Sequence, residues 1–215
     1  MSIRVLVVDD HPLMRDGLRF LINAQEDMEI VGEAADGVAA LEEVEMLVPD
    51  VVIMDIEMPG ANGIDVTGRI LEAHPQVNVV MLSAFPDAAY VRDAVQVGAR
   101  GYLLKGNAPN EVVRAVRAVM AGHTFMSPEA TSALVTALKD SMANEGAKAR
   151  PVLSQREREV LGFVAEGLRT KEIASRLAIG TKTVDTYRAR VMKKLGCGST
   201  AELVRYAIRE GLAQA

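Results

Sequence analysis

The sequence predicts a doubly wound, five-stranded parallel α/β domain followed by a small all-α domain. Three observations lead there. Short apolar runs alternate strictly with segments of helical periodicity as far as Met120, and strand signals stop from Ser127 onward. The charge also changes sign along the chain: residues 1–150 hold 12 basic and 22 acidic side chains, a net of −10, whereas residues 151–215 hold 12 and 7, a net of +5. Strands alternating with helices build a parallel sheet with right-handed crossovers. A charge reversal within one chain implies two domains with different partners.

The predicted strands are residues 3–8, 28–31, 51–54, 77–82 and 101–104. Ile3-Arg4-Val5-Leu6-Val7-Val8 and Val51-Val52-Ile53-Met54 are almost continuously apolar, as in a sheet covered on both faces. Helical spacing marks residues 12–23, 37–47, 63–73, 87–97 and 109–120 as the intervening helices. In the first of these, Leu13, Gly17, Phe20 and Leu21 are expected to share one face. Ser127-Pro128-Glu129 has the form of a helix start, with Ser127 as cap and Pro128 at the first helical position, for a helix running to about Met142. Residues 143–151 are small and polar, end in Pro151, and read as a tether. The expected division is residues 1–125, a helical linker over 126–150, and 151–215. In the last part, helices are expected at 154–166, 170–177, 181–195 and 199–210, with Gly167, Gly180, Gly196 and Gly211 where helix ends need a left-handed residue.

In a doubly wound sheet, ligands bind outside the carboxyl ends of the strands. Asp9 and Asp10 follow the first strand, Asp55 the third, Ser83 the fourth and Lys105 the fifth. Three carboxylates, a hydroxyl and an ammonium therefore converge on one edge. Carboxylates at close range repel, and a bound cation makes the arrangement tolerable; oxygen ligands with water suit Mg²⁺. His11 is expected as a loop or helix-start residue. Met58-Pro59-Gly60 and Gly63 are expected to shape the loop after Asp55.

These residues resemble a known family. The strings VLVVDDHPLMRDG and VVIMDIEMPGANG, Ser83-Ala84 and Tyr102-Leu103-Leu104-Lys105 are similar, in order and spacing, to the flavodoxin-like receiver domain of two-component response regulators over residues 3 to about 121. The resemblance implies that Asp55 is the phosphoacceptor and that Asp9, Asp10, Asp55 and the backbone carbonyl of Glu57 hold Mg²⁺. It also implies that Lys105 and Ser83 contact the phosphoryl group, and that Tyr102 is an aromatic switch turning inward as Ser83 is drawn to the phosphoryl group. Ser83 replaces the family's commoner Thr and keeps the hydroxyl. Glu57 and Phe85 flank the phosphoryl position.

In the basic part, residues 170–177 and 181–195 are separated by Ala178-Ile179-Gly180, the dimensions of a helix-turn-helix. Ile173, Ala174, Leu177, Ile179, Val184 and Val191 are expected to pin the pair together. With Thr181 as cap, the second helix presents Lys182, Thr183, Asp185, Thr186 and Arg188 near its start, where a recognition helix meets bases and phosphates. Arg190, Lys193 and Lys194 project further along. The stretch from Leu153 to Gly196 resembles the LuxR-type helix-turn-helix, and the domain order resembles the NarL/FixJ regulators. By that resemblance Glu157 is a structural acid, Lys182, Thr183, Val184, Thr186 and Tyr187 match the recognition-helix pattern, and the expected DNA-binding set becomes Lys171, Thr181, Lys182, Thr183, Asp185, Thr186, Tyr187, Arg188, Arg190, Lys193 and Lys194. Val184 reads as core. Asp185 is out of place near phosphates unless it accepts from a cytosine amino group or a neighbouring Arg. The last helix closes the domain or pairs two copies, and Cys197 is expected to pack at a helix end.

The expected function is a cytoplasmic response regulator: a transcription factor, not an enzyme, whose DNA binding is controlled by phosphorylation. Its expected partners are a sensor histidine kinase, double-stranded promoter DNA and, when phosphorylated, a second copy, with no membrane. No apolar run approaches the roughly 18 residues of a membrane span. One cysteine makes no internal disulfide. Enzyme readings are disfavoured, since Asp9-Asp10-His11-Pro12 lacks a glycine-rich phosphate cradle and Asp55-Ile56-Glu57 lacks a haloacid-type Asp-x-Asp. A small-molecule sensor calls for an apolar cavity in place of a carboxylate cluster. The alternative is a phosphorylation-independent DNA-binding regulator with a repurposed receiver.

Overall fold

In the computed structural model, the described residues are 2–58, 61–143, 153, 155–177 and 179–209. They form two compact units, Met1–Ala137 and Leu138–Ala215. Residues 144–151 of the expected tether, Pro59, Gly60 and Gly211 lie outside the described residues.

The first unit runs β1 (Ile3–Val8), α1 (Pro12–Asn23), β2 (Met28–Ala34), α2 (Gly37–Leu47), β3 (Val51–Asp55), β4 (Glu57–Met58), β5 (Ala61–Asn62), α3 (Gly63–Ala73), β6 (Asn78–Ser83), α4 (Ala88–Gln96), β7 (Gly101–Leu104), α5 (Ala108–Met120) and β8 (Phe125–Met126), and α6 (Pro128–Ala143) begins in it and crosses the boundary at Ala137. The main sheet has the order β2-β1-β3-β6-β7-β8, with every pair of neighbours parallel. Side chains alternate across a strand. Val5, Val7, Val51, Ile53, Val80, Leu82 and Leu103 accordingly pack with Leu18 and Ile22 of α1 and Val112, Ala115, Val116 and Val119 of α5. On the opposite face, Thr67 of α3 donates to Met81 Sδ at 3.3 Å. Leu6, Met54 and Met81 are likewise without solvent exposure. The continuous apolar runs are thus the strands buried on both faces, each large side chain contributing about 1.5–3 kcal/mol by leaving water.

Two expectations are corrected here. The sheet has six strands, because Phe125–Met126 pairs with Gly101 and Tyr102; two residues are too few to show a period. The buried stripe of α1 is Leu18 and Ile22, with Met14 and Leu21 partly buried, whereas Leu13 and Phe20 are exposed. Apolar side chains surround much of this helix, so periodicity left its phase open. A two-stranded antiparallel pair, β4 with β5, also follows Asp55.

Helix starts follow their caps. Asp36 accepts from the amides of Val38 and Ala39, Asn62 from that of Ile64, and Ser127 from that of Ala130.

The second unit contains α7 (Gln155–Ala165), α8 (Thr170–Leu177), α9 (Thr181–Leu195) and α10 (Thr200–Arg209). Its core is Leu153, Val160, Leu161, Val164, Ile173, Ala174, Val184, Tyr187, Val191, Leu203 and Ala207. Leu177 and Ile179 are half-buried. Gly167 and Gly196 are left-handed at helix ends, with φ of 82° and 66°. Gly180 is not. It is the extended N-cap of α9, so Thr181 is the first helical residue and not the cap.

Candidate functional site

The carboxyl edge of the sheet collects the acidic pocket. β1 ends at Val8 and delivers Asp9 and Asp10, β3 ends on Asp55, β6 on Ser83, and Lys105 follows β7. Strand pairing continues past the ends: the Ile56 amide donates to the Leu82 carbonyl and the Lys105 amide to that of Ser83. Those bonds fix the relative height of the side chains. Gly63 closes the loop after Asp55. A Cβ there would stand 1.9 Å from the Asp55 carbonyl oxygen, which explains a glycine at the first position of α3.

Lys105 Nζ lies 2.8 Å from Asp55 Oδ2 and 2.9 Å from Asp9 Oδ2. Both carboxylates are buried, and the lysine is largely so. Burial is the main reason that the Asp55 carboxyl is pushed up to about 7; the Asp9 charge adds to it, and Lys105 opposes it. For Lys105, burial works against the ammonium, but the Asp55 and Asp9 carboxylates outweigh it and raise its pKa. The Glu57 amide donates to Asp55 Oδ1 at 3.3 Å. Asp9 Oδ1 accepts from the His11 amide at 2.8 Å, and Arg15 donates to the Asp9 carbonyl at 2.7 Å.

Asp9, Asp10, His11 and Asp55 each offer a ligand atom within 4.8 Å of the others. Asp10 Oδ1 is buried and accepts no hydrogen bond from the described residues, although His11 Nδ1 lies 2.7 Å away. A buried anionic oxygen without a donor fits a hard divalent cation. His11 is the N-cap residue of α1, as a helix-start residue should be, and it also touches the cluster, which sequence reading did not foresee.

Ser83 is buried and faces its own loop: its hydroxyl donates to the Phe85 carbonyl at 3.0 Å and accepts from the Phe85 amide at 3.2 Å. Tyr102 is 1% exposed and its hydroxyl donates to the same carbonyl at 3.3 Å. The expected inward turn of Tyr102 is therefore already the position seen. Burial raises its phenol pKa. Tyr90 of α4, which the sequence did not flag, donates from its hydroxyl to Glu57 Oε1 at 3.5 Å.

The second site is the outer face of α9. Thr181, Lys182, Asp185, Ala189 and Lys193 are exposed, with Thr183, Thr186, Arg188 and Arg190 intermediate, and Lys171 is exposed on α8. Two expected members differ. Tyr187 is 4% exposed and packs with Val184 and Val191 on the inner face, because it falls three residues after the one and four before the other. Lys194 ion-pairs with Glu157 at 3.0 Å, and Glu157 is buried. Arg188 donates to the Thr170 and Thr200 hydroxyls at 3.1 and 3.0 Å, and Thr170 donates to Asp185 Oδ1 at 3.3 Å. Thr170, Thr200 and Ala189 were not anticipated; only the helical offset of Ala189 from Asp185 could have signalled one of them. Cys197 is half-buried after α9. No helix among the described residues is long and apolar enough to cross a membrane.

Comparison with known proteins gives a match for each of the two regions. Residues 5–117 match the response regulator receiver domain, and residues 151–207 the bacterial regulatory proteins of the luxR family. The oxygen regulatory protein NreC of Staphylococcus carnosus is 38% identical over 214 residues, covering 97% of this chain and 98% of that protein. A solved RcsB response regulator of Salmonella typhimurium is similar at a TM-score of 0.60 with 28% identity, covering 95% of this chain and 97% of the other. A structure of an RcsB–DNA complex reaches 0.61 with 27% identity over 96% and 98%. The chain belongs to the two-component response regulators that join a receiver to a LuxR-type DNA-binding domain, a family of phosphorylation-controlled transcription regulators.

Proposed function

We propose that residues 1–125 receive a phosphoryl group on Asp55 from a sensor histidine kinase, and that residues 126–150 link this event to promoter binding by residues 151–215. The observation that carries the reading is Lys105 held between the buried Asp55 and Asp9 carboxylates beside the donorless Asp10 oxygen. An Asp55 carboxylate oxygen forms a bond to phosphorus as the donor's P–N bond, or the P–O bond of a small acyl phosphate, breaks. The bonding pair leaves with the imidazole or carboxylate. Asp9, Asp10, Asp55 and the Glu57 backbone carbonyl would hold Mg²⁺, which would supply neutralising charge for the phosphoryl oxygens.

Lys105 offsets charge that the pocket cannot hand to water. Asp55 reacts as carboxylate, so its raised pKa places the onset of reactivity near neutral pH unless a cation restores ionisation. The acyl phosphate is inherently hydrolysable, which suits a reversible signal. Ser83 is the group left to reorganise: its hydroxyl must exchange the Phe85 carbonyl for a phosphoryl oxygen, while Tyr102 keeps its inward seat. The chain thus acts as acceptor and switch in the cytoplasm, not as an enzyme in its own right. Phosphorylation favours a homodimer on paired half-sites, a reading supported by likeness to a regulator solved on DNA. Lys171, Lys182, Arg190 and Lys193 supply phosphate contacts, and Thr181, Thr183, Asp185 and Thr186 face the groove.

Intact mass after incubation with acetyl phosphate and Mg²⁺ tests this. One phosphoryl adduct on the native chain, absent from Asp55→Ala, is expected; an equal adduct on both places the acceptor elsewhere. No adduct with either the acyl phosphate or a kinase, alongside sequence-specific DNA binding, indicates a repurposed receiver.

A further inference from the structure

α9 carries one acid on the face that its lysines occupy, and that acid is held in place. Asp185 is exposed between Lys182 and Ala189, and its Oδ1 accepts from the Thr170 hydroxyl of α8 at 3.3 Å. Thr170 Oγ accepts in turn from Arg188, which also donates to Thr200 of α10. Three helices are tied through one guanidinium. Arg188 meets hydroxyls and not the carboxylate, so among the described residues no direct ion pair neutralises Asp185, and its Oδ2 accepts no hydrogen bond.

A bare carboxylate on a surface that meets a polyanion is repelled by the phosphates and gains only where it finds a donor. The major groove offers two, the N4 amino group of cytosine and the N6 amino group of adenine. Adenine sets its N7 acceptor beside the N6 donor, which an ionised acid with no proton to give cannot satisfy. Cytosine presents its donor with no acceptor of its own. We propose that Asp185 is a specificity-determining residue that accepts a hydrogen bond from the N4 amino group of one cytosine in each half-site, aimed by Thr170 as a positioning residue. The inference rests on α9 being the recognition helix, and it adds the base that the helix reads.

The test is selection from a randomised duplex pool by the full chain treated with acetyl phosphate and Mg²⁺, run beside Asp185→Asn, Asp185→Ala and Thr170→Val. The native chain is expected to select one C·G pair per half-site that Asp185→Ala no longer demands, with discrimination there falling roughly tenfold. Asp185→Asn keeps the shape but gains a donor, and moves the preference toward adenine. Thr170→Val weakens discrimination at the same pair while leaving affinity for random duplex unchanged, which a merely structural role would not do. Placing N4-methylcytosine at that position, where its remaining N–H is taken by pairing with guanine, weakens the native chain roughly tenfold and spares Asp185→Ala. An unchanged selected motif in Asp185→Ala overturns the inference and leaves the recognition reading intact. Enrichment of no sequence by the native chain overturns both.

Discussion

The receiver pocket and the outer face of α9 both gather charge, by opposite means. In the pocket, Asp9 and Asp55 are buried and share Lys105, so each position depends on the others. On α9, Lys182, Asp185 and Lys193 stand in water, and a network of hydroxyls braces one of them. Buried charge is tolerated only when paired, whereas solvated charge is nearly free of its neighbours. The pocket is therefore rigidly specified, whereas the exposed side chains of α9 can vary without loss of the fold.

The largest expected break is Gly63→Ala. Its Cβ meets the Asp55 backbone oxygen and not a flexible side chain, so the α3 start and Asp55 move together. A loss of about 3 kcal/mol or more is expected in urea unfolding, with phosphorylation lost in parallel. Unchanged stability would mean that the pocket is looser than its contacts imply.

Lys194 and Lys193, adjacent in sequence, separate the two kinds of charge. Lys194→Ala leaves Glu157 buried without its ammonium and is expected to destabilise the second unit by about 1–3 kcal/mol, reduced from the fully buried case because Lys194 is partly solvated. Lys193→Ala is expected to leave unfolding unchanged and to lower the salt slope of DNA binding by about 1. A reversal of these effects would exchange their roles.

Asp55 supplies a pH-dependent effect. Its ordinary pKa is 3.8, and in the folded chain it is pushed up to about 7, mainly by burial. Between those values the folded state keeps a proton that the unfolded state has released. Raising the pH through this window therefore removes stability, and the loss is complete above about 7. Without divalent cation, the urea midpoint is expected to fall more steeply from pH 5 to 8 in the native chain than in Asp55→Asn. Equal slopes would mean that Asp55 ionises freely.

Much of this was legible because burial writes long, repetitive signals. Four of the strands are buried by helices on both faces, so Val51 to Met54 is apolar without interruption, and the strand ends deliver Asp9, Asp55, Ser83 and Lys105 by topology alone. α1 was misphased because Leu13 and Phe20 are apolar yet exposed, and the true stripe through Leu18 and Ile22 lies one residue further on, roughly 100° around the helix. Tyr187 hid in the core because a motif match does not state which way a helix faces. The Asp185, Thr170, Arg188 and Thr200 network joins polar residues from three helices, with no period to announce it.

The most direct test of the switch is fluorescence anisotropy of a selected duplex with the native chain and Asp55→Ala, each measured with and without acetyl phosphate and Mg²⁺. The account predicts that the phosphodonor tightens binding by the native chain about tenfold or more and leaves Asp55→Ala unchanged. Equal affinities for both proteins under both conditions would contradict it.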